Sequence, residues 1–307
     1  MKIFVNKLKE SWIIDRVTTE WKENNESIST NKLKEADIIW IIASWVWKKT
    51  PKKYLKNKKV LSSVYHIDFN NFDSKQKEDF YELDKYVDVY HVISQKTKHQ
   101  LRQLTDKQII SIPFWINQKN WFYIEDKVKL KESLGFKQDM YLVGSFQRDT
   151  EGGDLTSPKL IKGPDIFIDI VKDLNDKIKN LTVLLAGTRR QYVLKELEEA
   201  KINYKYYEMA DLEMLNKLYN VLDLYLVTSR IEGGPQAILE SAITKTPIIS
   251  TDVGVASEVL HEDSLFKPGN FDSAKPDIDY AYKNSLKYKI PEGMNEFRIM
   301  FKELYES

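Results

Sequence analysis

The sequence contains no cysteine among its 307 residues. This absence excludes disulfides, zinc–thiolate sites, redox-active thiol pairs and a cysteine nucleophile, and it agrees with a reducing compartment. Histidine is also scarce, because only His66, His91, His99 and His261 occur and no His-Glu-x-x-His pattern is present. A metal centre built on histidine is therefore not expected.

The chain also lacks an excess of charge and a long hydrophobic run. Lys and Arg number 47 against 46 Asp and Glu, which leaves a net charge of +1, and a nucleic-acid binder would ordinarily be basic. The most apolar stretch, Ile38 to Trp47, has about half of the roughly 20 residues that span a bilayer. The N-terminal segment has no apolar core of signal-peptide length. We therefore expect a cytoplasmic protein.

Short β-branched runs alternate with polar helical stretches along both halves of the chain. This alternation predicts an α/β fold with parallel sheets and crossover helices, and the length suggests roughly two domains. The aromatic, aperiodic segment Pro113–Asp126 interrupts the pattern and is interpreted as the linker region. We predict domains over residues 1–117 and 118–290, followed by an amphipathic helix over 291–307 that packs back toward the N-terminal domain.

The predicted strands of the first half are Lys2–Val5, Asp37–Ala43, Lys59–Tyr65, Asp88–Ile93 and Gln108–Ile112. Those of the second half are Met140–Val143, Thr182–Ala186, Asp223–Val227 and Pro247–Ser250. The predicted helices are Ser11–Asn24, Ser74–Tyr86, Thr97–Leu104, Asp165–Asp176, Gln191–Ala200, Leu212–Val221 and Gln236–Thr244. Ligands of open parallel sheets bind at the carboxyl ends of the strands, so the loops that follow strands are the places to look for chemistry.

The most informative loop follows the predicted strand that ends at Val227. Gly233 and Gly234 precede a helix, and such a helix N-terminus with close backbone access favours anions. Glu232 lies at the same place, where a carboxylate would cap the helix or bind ligand hydroxyls. Glu240 follows two turns along the helix among apolar neighbours. A carboxylate in that setting needs a partner, which a sugar or ribose hydroxyl would supply.

Glu232, seven residues and Glu240, within the frame EGGPQAILE…TPIISTDVG, resemble the retaining nucleoside-diphosphate-sugar glycosyltransferases of family four, the glycosyl transferases group 1. The resemblance implies the GT-B architecture, two Rossmann-like domains facing across a cleft. It places Glu232 beside the donor sugar and Glu240 on the nucleotide ribose. It also implies that the backbone amides of Gly233 and Gly234 contact the diphosphate and the sugar.

The resemblance extends upstream, where the family has a Gly-Arg pair after a strand and a Lys-Gly pair at a helix start. Ser145 replaces that arginine here, and Arg148 is the nearest guanidinium, while Lys162 opens the helix. The resemblance therefore assigns Ser145, Arg148 and Lys162 to donor binding, because negative charge builds on the leaving diphosphate. Lys159 or Arg189 is the alternative to Arg148.

The first domain matches the family less closely. The segment around His66 resembles the family's strand that ends in a histidine near the donor sugar. His66 is therefore a second candidate catalytic residue, in addition to Glu232. The glycine-rich loop of many relatives is missing near the N-terminus. Trp12, Asp15 and Arg16 stand in its place and are the acceptor-side candidates.

The resemblance implies an enzyme that transfers a hexosyl group from a nucleotide sugar to a hydroxyl with retention of configuration. A lipid-linked saccharide or a polysaccharide is the expected acceptor. The family generally lacks a well-placed nucleophile, which favours attack on the same face of the sugar, with the leaving phosphate accepting the proton. No cofactor or metal is expected, because cationic side chains and helix amides handle the phosphate charge.

Several other interpretations remain open. An epimerase of nucleotide sugars could share the fold. Lys48–Lys59 holds seven lysines in twelve residues, which suits a solvated loop, a membrane-surface contact or a polyanion site. A non-catalytic saccharide or polyanion binder, or an enzyme that glucosylates DNA bases, would use that segment. Asp277-Ile278-Asp279 spells the Asp-x-Asp of another glycosyltransferase fold but has no strand before it, so no metal site is expected there.

Overall fold

The computed structural model describes residues 1–6, 13–153 and 155–307. The chain divides into two compact units, one formed by Met1–Trp115 with Tyr288–Ser307 and the other by Ile116–Lys287. The predicted boundaries after residues 117 and 290 lie two and three residues from these limits. None of the helices in the described ranges combines the length and the apolar composition that crossing a bilayer requires.

The first unit is built on a six-stranded parallel sheet in the order β2-β1-β3-β4-β5-β6. Its strands are β1 (Ile3–Val5), β2 (Ser29–Thr30), β3 (Ile38–Ile41), β4 (Lys59–Val64), β5 (Val89–Val92) and β6 (Gln108–Ser111). Its helices are α1 (Ile13–Asn24), α2 (Lys52–Leu55), α3 (Ser74–Asp84), α4 (Gln95–Leu101) and the C-terminal α12 (Asn295–Glu306).

The second unit repeats this plan with the strand order β12-β11-β10-β7-β8-β9, again all parallel. Its strands are β7 (Tyr141–Ser145), β8 (Leu181–Ala186), β9 (Tyr204–Tyr207), β10 (Leu224–Val227), β11 (Ile248–Thr251) and β12 (Leu265–Phe266). Its helices are α5 (Lys127–Ser133), α6 (Pro164–Lys177), α7 (Gln191–Glu199), α8 (Leu212–Val221), α9 (Gln236–Ile243), α10 (Ala256–Val259) and α11 (Ile278–Ser285).

The nine predicted strands are all present, and the prediction of parallel α/β sheets is confirmed. Three strands of the described residues, namely β2, β9 and β12, were not predicted. Each of them lies at the edge of its sheet, so it is not covered on both faces and carries no continuous apolar run. The central β3, by contrast, is buried at all four positions, as its apolar run predicts. Helix α4 begins two residues earlier than predicted, because the Ser94 hydroxyl accepts the Thr97 amide at 3.2 Å.

An aromatic cluster forms the centre of the first unit. Trp21 and Trp40 lie edge to face with their ring centroids 5.6 Å apart. Both rings pack against Phe301 of α12, with centroid distances of 5.2 Å. Phe297, on the same face of α12, contacts Trp115 at 5.2 Å. These side chains are almost fully buried. The helix thus belongs to the core of the first unit through the stripe that its 3.6-residue periodicity predicts.

His91 lies in this core and is structural, as predicted. Its Nδ1 pairs with the Ser63 hydroxyl at 2.9 Å and its Nε2 with the Ile112 carbonyl at 2.8 Å. Burial lowers the pKa of His91 to about 4, so the ring is neutral at neutral pH and links β4 and β5 to the end of β6 by hydrogen bonds.

The burial of α12 generates a first prediction. Phe297→Ala should lower the free energy of unfolding by about 3–5 kcal/mol, because it removes a fully buried ring and leaves a cavity. Ile299→Ala on the same helix is the matched control; Ile299 is 56% exposed, and we expect a change below about 0.5 kcal/mol. Denaturant titrations followed by tryptophan fluorescence measure both values. Equal effects of the two substitutions would contradict the packing of α12 in this core.

Candidate functional site

The strand order places a topological switch point between β7 and β10. From β7 the chain continues to β8 on one side, whereas β10 pairs with β7 on the other side. The loops that follow β7 and β10 therefore diverge from adjacent strands, and such a point is where ligands of open parallel sheets bind. The Lys162 and Glu232 loops are these two loops.

Lys162 and Glu232, 70 positions apart in sequence, form an ion pair between Nζ and Oε1. The Ser229 hydroxyl lies 3.3 Å from the same carboxylate oxygen. The Gln147 side chain connects both loops, since its amide donates to the Lys162 carbonyl at 2.8 Å and its oxygen accepts from Ser229 at 3.2 Å. The structure thus brings two predicted residues together and adds Ser229 and Gln147, which the sequence analysis missed.

Gly163 explains how the two loops approach so closely. It adopts a left-handed conformation with φ of +62°, and a Cβ at this position would overlap the carbonyl oxygen of Thr228. The Thr228 hydroxyl in turn donates to the Gly163 carbonyl at 2.8 Å. Only glycine meets both demands, so Gly163 fixes Lys162 against the loop that carries Glu232.

A second glycine, Gly254, packs closely against the loop between Glu232 and α9. Gly254, at φ of +51° after β11, lies so close that a Cβ would overlap the carbonyl of Gly233. Gly233 and Gly234 therefore run directly into the cap residue Pro235 and the first turn of α9. The backbone amides of that first turn have no partner within the helix and favour an anion.

The long insertion after β7 folds back on itself. Thr150 and Pro158 form an antiparallel bridge, and the Lys159 amide donates to the Asp149 carbonyl at 2.7 Å. This return brings Lys159 close to Arg148, near the start of the insertion, so that their charges interact. The two residues that the sequence analysis treated as alternatives therefore lie in one cluster.

The charges of this cluster repel one another. Burial, followed by the positive charges of Arg148 and Lys162, lowers the pKa of Lys159 to about 8 against the opposing effect of Glu151 and Glu232. Burial also lowers the pKa of Arg148, with Arg189 as the next cause. Cations held this close are typical of sites that bind anions.

Arg189, the other alternative, supports the insertion. Its backbone is left-handed with φ of +64°, and its carbonyl accepts the amides of Asp149 at 3.0 Å and Thr150 at 3.3 Å. Its guanidinium Nη2 donates to the Gly152 carbonyl. These contacts hold the insertion beside the loop that follows β8.

The adjacent Arg190 forms a buried ion pair that the sequence analysis missed. Its Nε lies 2.8 Å from Asp149 Oδ2, and both side chains are at most 3% exposed. Its Nη1 donates to the Ser145 carbonyl at 2.6 Å. Ser145 was predicted to bind the donor. The contact that the structure shows for it is made by this backbone oxygen, at the start of the insertion. The only sign of this ion pair in the sequence was a second arginine, Arg190, after the apolar strand β8.

Glu240 is buried in α9, as its apolar neighbours predict. The Tyr219 hydroxyl of α8 donates to its Oε2 at 3.0 Å, and burial raises the pKa of Tyr219 well above its usual value. The partner that a buried carboxylate requires is thus supplied in part by the protein. Contact with a ribose remains a prediction.

The other predicted site residues belong to the first unit. His66 is exposed shortly after β4, and Asp15 and Arg16 lie half-buried in the first turns of α1. Trp12 lies outside the described residues. The catalytic role of His66 and the acceptor role of the other residues stay predictions.

The lysine-rich segment Lys48–Lys59 is more ordered than a solvated loop, because it contains α2. Lys48 pairs with Asp79 and, at 3.3 Å, with Glu82 of α3. Lys52 pairs with Glu82 at 2.7 Å. Carboxylates of α3 therefore compensate part of the positive charge that suggested a polyanion site.

The Asp277-Ile278-Asp279 motif is the start of a helix. The Asp277 side chain accepts the Tyr280 amide at 2.9 Å and so caps α11. Over residues 1–6, 13–153 and 155–307, no three His, Asp or Glu side chains are grouped as a metal ion would require.

Known proteins resemble this chain in sequence and in fold. Residues 158–296 match the family described as Glycosyl transferases group 1, which confirms the resemblance of the EGGPQAILE frame. The alpha-galactosylglucosyldiacylglycerol synthase of Streptococcus pneumoniae is 23% identical over 208 residues, 62% of this chain and 51% of that protein. The chain thus spans about half the length of this curated relative.

Solved structures resemble the whole chain. HepE (Alr3699) of Anabaena in complex with UDP covers 99% of this chain and 100% of its own, with a TM-score of 0.76 and 14% identity. The same protein with UDP-glucose gives a TM-score of 0.74 and 14% identity, with 98% and 99% covered. Sucrose-phosphate synthase from Thermosynechococcus elongatus gives 0.71 at 14% identity, with 98% and 81% covered. These likenesses show that the fold is GT-B, with two Rossmann-like domains.

The close approach at Gly163 generates the second prediction. Gly163→Ala should destabilise the protein by more than the roughly 1–2 kcal/mol that a left-handed alanine costs, because its Cβ also overlaps Thr228. Gly135→Ala is the matched control, since Gly135 has φ of +75° with open space around its Cβ position. Thermal unfolding of both variants measures the difference. Similar melting temperatures would mean that the Gly163–Thr228 contact is not as tight as described.

Proposed function

We propose that this chain, whose residues 158–296 match the glycosyl transferases group 1, is a retaining glycosyltransferase that uses a nucleotide sugar. The observation that carries the proposal is the Lys162–Glu232 pair at the switch point of the second sheet. A cation beside a helix N-terminus suits a diphosphate, and a neighbouring carboxylate suits sugar hydroxyls. The cation and the carboxylate are adjacent, as the diphosphate and the sugar are in a nucleoside-diphosphate sugar.

The donor is proposed to lie along the carboxyl edge of the second sheet. The Anabaena protein was solved with UDP and with UDP-glucose, which supports a uridine nucleotide here. A cavity of about 400 Å³ at the end of β9, lined by Tyr207, Met209 and Met214 among others, has room for a base. Glu240 would then bind the ribose, and Arg148 with Lys162 the diphosphate.

The proposed reaction breaks the bond between the sugar C1 and the β-phosphate oxygen and forms a bond from C1 to the acceptor oxygen. The acceptor proton passes to the released phosphate oxygen, so the products are a glycoside and a nucleoside diphosphate. Lys162, Arg148 and the first amides of α9 stabilise the charge that develops on the leaving group. No metal or cofactor is proposed in this scheme.

Retention through attack on one face is supported by the surroundings of Glu232. Its Oε1 is engaged by Lys162 and lies 3.3 Å from the Ser229 hydroxyl, and a carboxylate held in this way is a weakened nucleophile. We therefore assign Glu232 to positioning the sugar and stabilising its positive charge in the transition state rather than to forming a covalent intermediate.

The acceptor is proposed to be a saccharide, lipid-linked or polymeric, bound by the first unit. The name of the Streptococcus pneumoniae relative is that of a glycolipid synthase. Trp45, 54% exposed, lies against Tyr65 with ring centroids 6.1 Å apart, and His66 is exposed beside it. Exposed aromatic faces suit sugar rings. A membrane contact would use the exposed Lys49, Lys53 and Lys56 of the lysine-rich segment.

Nucleotide binding gives the third prediction. Lys162→Ala should weaken UDP binding by about 10- to 100-fold, because a hydrogen bond to a charged group contributes roughly 1.5–3 kcal/mol. Lys172→Ala is the control, since Lys172 pairs with Glu196 at 3.3 Å on the surface of the same unit and should leave binding unchanged. Titration calorimetry with UDP, GDP, ADP and dTDP measures the affinities. If none of the four binds the folded wild-type protein, the donor site is wrongly assigned.

The stereochemical course gives the fourth prediction. With UDP-glucose and a panel of saccharide and lipid-linked saccharide acceptors, the product should keep the anomeric configuration of the donor, as proton NMR will show. Glu232→Gln should lower kcat by about 100-fold while UDP still binds, because the amide keeps the shape but loses the charge. A product of inverted configuration would exclude the proposed mechanism, and an unchanged kcat would exclude the role of Glu232.

A further inference from the structure

The insertion after β7 is a folded element, which we call the β7–α6 arm (residues 147–153 and 155–161). Its two sides are joined by the Thr150–Pro158 bridge, by the Glu151 amide on the Ser157 carbonyl at 3.0 Å, and by the Lys159 amide on the Asp149 carbonyl at 2.7 Å. An arm closed by main-chain hydrogen bonds holds Lys159 in a defined place.

The root of the arm is fixed to the body of the second unit. Asp149 is held by the buried Arg190 at 2.8 Å, and Arg190 also binds the Ser145 carbonyl at the end of β7 at 2.6 Å. The Arg189 carbonyl accepts two main-chain amides of the arm. The sheet edge, the β8 loop and the arm therefore form one connected unit.

Lys159, near the end of the arm, is half-buried and lies close to the charged groups of the candidate site. The charged groups that act on Lys159 are the cations Arg148 and Lys162 and the carboxylates Glu151 and Glu232. Lys162 and Glu232 already compensate each other. Burial and the positive charges of Arg148 and Lys162 disfavour the ammonium form of Lys159, and a bound polyanion would relieve that repulsion.

We infer that Lys159 is a further donor-binding residue, which the β7–α6 arm places on the diphosphate together with Arg148 and Lys162. The inference rests on the proposed function and extends it to a residue outside the Lys-Gly pair. A diphosphate beside Lys159 stabilises its ammonium form. Since the pKa of Lys159 without ligand is about 8, binding near pH 8 must take up part of a proton.

The sign of the pH dependence follows from this linkage. Below pH 7 Lys159 is already charged, so binding takes up little. As the pH rises through 8 the free protein loses the charge that the complex needs, and UDP binding weakens. Between pH 7 and 9 the dissociation constant should rise by up to about tenfold, if the pKa in the complex lies above 9.

The test is titration calorimetry of the full chain with UDP at pH 8 in two buffers of different ionisation enthalpy. Wild type should take up about half a proton for each UDP bound, as a pKa of about 8 requires. Lys159→Arg should bind UDP within a few-fold of wild type without that uptake, because arginine keeps its charge at this pH. Lys159→Met should bind about tenfold more weakly at pH 7, and Lys172→Met should behave as wild type.

Further ligands distinguish the source of the effect. Methyl diphosphate, whose phosphates, unlike those of pyrophosphate, hold no proton near pH 8, should reproduce the proton uptake, whereas uridine, which has no phosphate, should not. The inference is overturned if Lys159→Arg takes up protons as wild type does, or if Lys159→Met binds UDP as tightly as wild type. If Lys162→Ala weakens binding but Lys159→Met does not, the inference alone fails. If no nucleoside diphosphate binds the wild type, the proposed function fails with it.

Discussion

The close contact between Gly163 and the Thr228 carbonyl is the constraint on which the candidate site depends. It joins the loop after β7 to the loop after β10 at a distance that no side chain at position 163 would allow. Because of this contact, Lys162 reaches Glu232 across 70 positions of sequence. The adjacent hydrogen bond from the Thr228 hydroxyl to the Gly163 carbonyl joins the same two loops a second time, beside the charged pair.

The same region concentrates charges that would be unfavourable without a ligand. Burial and the charges of Arg148 and Lys162 lower the pKa of Lys159, and burial together with Arg189 lowers the pKa of Arg148. The buried Arg190–Asp149 pair holds the chain in this arrangement from below, since breaking a buried pair by removing one partner strongly destabilises a protein. The buried Arg190–Asp149 pair thus stabilises the segment whose cationic side chains repel one another. Functional sites commonly offset unfavourable interactions in this way.

The sequence predicted those parts of the fold that carry a local pattern. The continuous apolar run of β3 and the helical stripe of α12 identified buried elements, and the Glu232-Gly233-Gly234 loop identified the site through its resemblance to a family. Edge strands such as β9, whose residues are only partly buried, have no such pattern. Contacts such as Tyr219 with Glu240 depend on which helices are neighbours, and no local spacing encodes that.

Lys159 is the clearest example of a residue whose place in the candidate site no local sequence pattern predicts. Family resemblance directs attention to an arginine directly after the glycine of β7, where this chain has Ser145, whose carbonyl is engaged by Arg190. The positive charge is instead carried by Arg148 and by a lysine that returns from the far side of an insertion. A lysine in such surroundings differs from an arginine in one physical respect, because it can lose its proton near neutral pH. In the role that we infer for Lys159, a titratable charge stands where the family has a fixed one. Donor binding would then depend on pH, and this dependence separates a binding role for Lys159 from a merely structural one.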